Sequence, residues 1–171
     1  MWATFVSVLL WIENSALAVW VGESTWGFPI SLTLHAFGMG FLAGGNLVIA
    51  LRLLGFARGI PPATLLRLYP FLWGSAVLSV ISGAMLLSAY PAKALTNPVF
   101  YTKLFFITVG LCLLAKPVRR LLPQMLSDAA PTPQERRLGG LIAFLWLATI
   151  TAGRFLAYTH HVMRADDLLG G

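Results

Sequence analysis

The sequence predicts an all-α integral membrane protein, a four-helix bundle with an N-terminal helix lying along the membrane interface. Three observations carry that expectation. Apolar residues make up 58% of the 171-residue chain and charged residues only 11%. Four stretches stay apolar long enough to cross roughly 30 Å of hydrocarbon at about 1.5 Å per helical residue. The basic residues behind the net charge of +6 sort by loop and form no patch interleaved with aromatics, so the excess reads as membrane topology and not as a nucleic-acid surface. Spans and connections use almost the whole length, which leaves a single domain.

The elements follow in order. Residues 1–21 lack the basic start and small-residue cleavage site of a secretory signal, and Glu13-Asn14-Ser15 interrupts them. A fifth span would place those polar groups in hydrocarbon. The segment therefore reads as an interfacial helix, with Trp2, Trp11, Trp20 and Trp26 at headgroup level and Asn14 or Ser15 capping a short second helix. The first span covers about residues 28–51, and Pro29 falls in its first turn, where proline costs no hydrogen bond. Gly59-Ile60-Pro61-Pro62 closes the first connection, Thr64 can begin the next helix, and the second span covers about 68–89. Pro91 and Asn97-Pro98 punctuate the second connection. The third span covers about 101–117 and the fourth 138–158, and the proline-rich stretch 117–135 between them reads as part helix and part coil.

Arg52, Arg58 and Arg67 surround the first connection, Lys116, Arg119, Arg120, Arg136 and Arg137 the third, and the second carries only Lys93. By the positive-inside rule the first and third loops are cytoplasmic and the C-terminus is outside. The single Cys112 excludes an internal disulfide and reads as a small buried hydrophobe of the third span. Gly40 and Gly44, with Gly74-Ser75, Ser79 and Ser82-Gly83, read first as close helix packing and second as room for a flat ligand.

His35, Lys103 and Arg154 each interrupt a different apolar stretch. Ionisable groups in hydrocarbon cost several kcal/mol unless they face a partner or cavity, so they mark a site. Counted from the basic ends of their helices, each lies sixteen or seventeen residues along, about 25 Å up. The shared height predicts a polar pocket a few ångströms below the outer surface. The plain alternatives are a hydrogen-bonded core histidine and two cations snorkelling to headgroups.

Three ligand classes suit such residues. Haem b takes a histidine as axial ligand and basic groups at its propionates. His35 supplies the first, Lys103 and Arg154 the second, and His160 or His161 offers a further ligand about 10 Å higher. His161 shares a helix face with Arg154, and Tyr158 stands beside it. Copper could use His35, Met39, His160, His161 and Met163. A bound anionic lipid or quinone would need only the cations. Acidic residues are confined to Glu13, Glu23, Asp128, Glu135, Asp166 and Asp167, none within the second, third or fourth span. Proton-coupled transport therefore lacks its usual intramembrane carboxylate. No nucleophilic triad, phosphate loop or closed zinc set is present.

The segments Glu23-Ser24-Thr25-Trp26-Gly27-Phe28-Pro29, Leu34-His35-Ala36-Phe37-Gly38, Leu51-Arg52-Leu53-Leu54-Gly55, Asn97-Pro98-Val99-Phe100-Tyr101-Thr102-Lys103 and Gly153-Arg154-Phe155-Leu156-Ala157-Tyr158 resemble a bacterial family of small four-helix membrane proteins designated a domain of unknown function. The resemblance covers about residues 23–158 and implies that His35, Lys103 and Gly153-Arg154 occupy its recurring positions. It also implies a bacterial inner membrane. The architecture is more loosely similar to copper-resistance D-type and cytochrome b-type haem-binding membrane proteins. The chain departs from the family pattern at Ser31 and Asn46, where acidic residues often stand. The expectation is a b-type haem site serving electron transfer. The alternative is a non-catalytic accessory subunit of a photosynthetic or respiratory membrane complex.

Overall fold

The computed structural model describes residues 2–57, 59–121 and 130–158. All described regular structure is helical: α1 (Trp2–Glu13), α2 (Ala16–Glu23), α3 (Gly27–Leu54), α4 (Pro62–Ala89), α5 (Pro91–Leu95), α6 (Pro98–Leu113), a π-helical turn (Leu114–Val118), α7 (Arg119–Leu121) and α8 (Pro133–Tyr158). Helices α3, α4, α6 extended through the π turn, and α8 are long and apolar enough to cross a membrane.

Local chemistry sets the boundaries. The break at Asn14-Ser15 bends α1 against α2 by 66°, and the Ser15 hydroxyl accepts from the Ala18 amide at 3.3 Å. Ser24 Oγ accepts from Gly27 N at 2.7 Å, tying α2 to α3. A Cβ on Gly27 would strike the Trp20 carbonyl, so this corner requires glycine. Gly55 ends α3 at φ 91°, with its amide on Arg52 O and that of Phe56 on Leu51 O, each at 3.0 Å, a left-handed C-terminal cap. Asn97 caps α6 through Val99 N at 2.9 Å. Past Leu113 the wider π turn carries the helix through Pro117, which has no amide to donate. Helix α4 begins at Pro62, which suits a first helical position, and it runs on through Pro70.

Helix α8 begins five residues before the expected span. Thr132 and Glu135 form a reciprocal cap, Glu135 accepting from Thr132 N at 2.6 Å and Thr132 Oγ1 from Glu135 N at 3.3 Å.

The long helices pack in the order α4, α3, α8, α6, while α4 and α6 hardly meet, so one side of the bundle is open. The core lies toward the basic end and joins Leu42, Ile49 and Leu53 of α3 to Leu65 and Leu72 of α4, and to Leu114, Ile142 and Trp146. Lipid is as apolar as leucine, so close packing and not transfer from water holds these helices together. Glycines set the approach: Gly38 meets Ser79, Gly45 meets Leu72, Gly139 meets Leu53 and the Ala50 carbonyl, and Gly110 meets the Trp146 ring. Gly40, Gly44 and Gly74 face open space, so the Gly40/Gly44 pair is not a seam within this chain. At the other end, α1, α2 and α5 cap the bundle, burying Val6, Leu9, Val21 and Ala92.

Cys112 corrects the sequence reading, because it is exposed. Helix α6 packs along α8 by one strip, and Cys112 stands off that strip.

Candidate functional site

His35 lies two turns into α3 and Lys103 in the second turn of α6, both near the capped end. Helix α4 presents Ser75, Ser79 and Ser82 at spacings of four and three, which places them on one strip facing α3. Ser82 Oγ donates to Leu78 O at 2.6 Å and Ser75 Oγ to Phe71 O at 3.0 Å, so their protons stay within α4. The Ser79 carbonyl stands 3.1 Å from His35 Nδ1, with Ser82 Oγ at 3.3 Å from the same nitrogen.

These partners assign the imidazole. A carbonyl only accepts, so Nδ1 carries a proton and donates to Ser79 O. Lys103 Nζ lies 3.4 Å from Nε2. An ammonium only donates, so Nε2 offers its lone pair. The ring is therefore a neutral Nδ1–H tautomer, held by α4 on one side and met by a cation from α6 on the other. Three helices thus converge on one side chain, across the side of the bundle where α4 and α6 leave a gap.

Two glycines make room around the pair. A Cβ on Gly83 would stand 3.1 Å from His35 Cε1, and one on Gly153 would stand 3.7 Å from Lys103 Cε. The surroundings are rich in donors and short of acceptors. Lys103 has two further N–H groups, and the buried Ser79 hydroxyl has no partner. Two turns deeper along the α6–α8 seam, the buried Trp146 Nε1 is unpartnered as well. Other buried polar groups, Ser31, Asn46 and Thr149, bond carbonyls of their own helices.

The structure brings two of the three expected site residues together. Gly153 faces Lys103, whereas Arg154, one residue and about 100° further round α8, is exposed. Tyr158 is 81% exposed. His160, His161 and Met163 lie outside the described residues, and Met39 packs against the core. Among the described residues no group of three histidine, cysteine or acidic side chains could hold a metal ion. The spacing of the α4 serines was legible in the sequence, but the decisive acceptor is the Ser79 backbone carbonyl, which no side-chain pattern reveals.

Haem b suits this arrangement at two points. An axial histidine needs its second ring N–H tied to an acceptor, and Ser79 O does that. The donor surplus matches a ligand bearing carboxylates. The two glycines admit the His35 ring and the Lys103 chain themselves, and the room they free is taken up by those side chains. At one point it requires movement, since Lys103 must leave the Nε2 lone pair for a metal to reach it. Lysine is long and flexible, so the donor set fits. No protein-family model, curated protein or solved structure matches the chain.

Proposed function

We propose that this chain is a membrane protein that holds a b-type haem beside His35 and serves electron transfer. The observation that supports it is the imidazole fixed by Ser79 O as the Nδ1–H tautomer, with Nε2 presenting a lone pair inside the bundle. Bound there, the haem would supply reversible one-electron chemistry at its iron.

The chain's own residues have separable tasks. Ser79 O orients the ring and increases the basicity of Nε2. Lys103, the cation at the site, would pair with a propionate carboxylate of a bound haem. Gly83 and Gly153 keep the ring and the ammonium free of steric obstruction. The capping helices α1, α2 and α5 limit water at that end of the bundle.

The test is an absorption spectrum of protein purified from haem-replete cells. A Soret band that is lost in His35→Ala and weakened in Lys103→Ala is expected. A flat spectrum of the folded wild-type protein overturns the proposal.

One further observation favours the accessory-subunit reading. Helix α6 presents Tyr101, Leu104 and Phe105 outward, apolar surface that either lipid or another subunit could cover. Stable co-purification with partners of an energy-transducing complex, together with a flat spectrum, would select it.

A further inference from the structure

A groove of about 560 Å³ runs between α6 and α8, away from the His35–Lys103 pair. Its walls include Thr102 and Phe106 from α6, and Leu147, Thr151 and Phe155 from α8. Both threonine hydroxyls spend their protons on their own helices, Thr102 Oγ1 donating to Pro98 O at 3.1 Å and Thr151 Oγ1 to Leu147 O at 2.9 Å. The lining is largely apolar and suits hydrocarbon.

The groove has a direction. Phe106 and the exposed Phe144 meet at one end of it by an edge-to-face contact, ring centroids 6.2 Å apart. From Phe144 to Phe155 is eleven residues, about 16 Å of helix, which is about one leaflet of a hydrocarbon core roughly 30 Å thick. Its open end lies at the level of the helix termini Pro98 and Tyr158.

At that end stands Arg154. It follows Leu147 by seven residues and Thr151 by three, so it continues the strip that forms one wall of the groove. It is exposed, and none of the described acidic residues lies on α6 or the adjacent half of α8. A cation at the end of an open, leaflet-length apolar groove is complementary to one kind of molecule, a lipid with an anionic headgroup. We propose that this groove holds an acyl chain of an anionic phospholipid whose phosphate is bound by Arg154. The site is independent of the haem reading, because it uses neither His35 nor Lys103.

Purified full-length protein in detergent, offered equal amounts of dioleoyl phosphatidylglycerol and dioleoyl phosphatidylcholine, tests this by native mass spectrometry. Wild type is expected to retain the anionic lipid about fivefold over the zwitterionic one, the ratio one surface cation confers. Arg154→Gln should bring the ratio to unity, and Ala148→Trp should lower retention of both lipids by filling the groove. Glycerol 3-phosphate alone should not compete, because the chain supplies the hold. Equal retention of the two lipids by wild type, or unchanged retention by a folded Ala148→Trp, overturns the proposal. If that variant does not fold, a phosphatidylglycerol carrying a mid-chain diazirine decides on wild type: labelling of α6 and α8 supports the groove, and labelling confined to other helices overturns it.

Discussion

The Ser79 hydroxyl is buried without an acceptor, while the Ser79 carbonyl carries the functional contact with His35. The two atoms can be separated by mutation. Ser79→Ala should leave the imidazole anchored and leave the ligand-free protein unchanged or more stable by about 1 kcal/mol, since an unpaired buried hydroxyl carries a desolvation cost. Thermal unfolding in detergent checks this, and a clear loss of stability would mean that the hydroxyl is bonded. Gly38 behaves oppositely. A Cβ there would lie 2.6 Å from Ser79 Oγ and 2.9 Å from Ser79 N. Gly38→Ala should cost about 1–3 kcal/mol. The cost should persist in a Ser79→Ala background, because the backbone nitrogen is still in the way. At this scale the sequence identified His35 and Lys103 as ionisable groups interrupting apolar stretches, and grouped them by depth. It grouped Arg154 with them because residue counting fixes height along a helix and not the direction a side chain takes around it. One residue, Gly153 against Arg154, separates the inner face from the outer.

Elements were legible where punctuation is local. Ser15, Pro29 and Asn97-Pro98 mark helix starts from either sequence or structure. The start of α8 was misplaced because the fourth span was counted from the apolar run, although Thr132-Pro133-Gln134-Glu135 carries a capping-box signature. Glu135→Ala should lower stability by about 1 kcal/mol and fray the first turn of α8, read as a lower melting temperature and faster amide exchange from Gln134 onward. Cys112 was misassigned for a different reason. Hydropathy records that a residue avoids water, and inside a bilayer both the core and the lipid satisfy that condition.

Across the whole molecule, the four long helices form an open arc that leaves much of α6 exposed and apolar, a face suited to hydrocarbon. In sealed membranes a charged maleimide should therefore fail to label Cys112 from either side, and should label it once denaturing detergent dissolves the bilayer. Labelling in intact membranes would place this face of α6 against water. The arc was not visible in the sequence, since the spans can be counted from composition while their neighbours depend on which small residues meet. Gly38, Gly45 and Gly139 became seams, whereas Gly40 and Gly44, spaced just as well, did not.

The N-terminal cap has a consequence for biogenesis. Helices α1 and α2 are made before the rest of the bundle, yet the surfaces that bury Val6, Leu9 and Val21 belong largely to α4 and α5, which are synthesised some fifty to eighty residues later. Until α4 and α5 emerge, the apolar sides of the two short helices lack most of the partners that bury them in the finished fold.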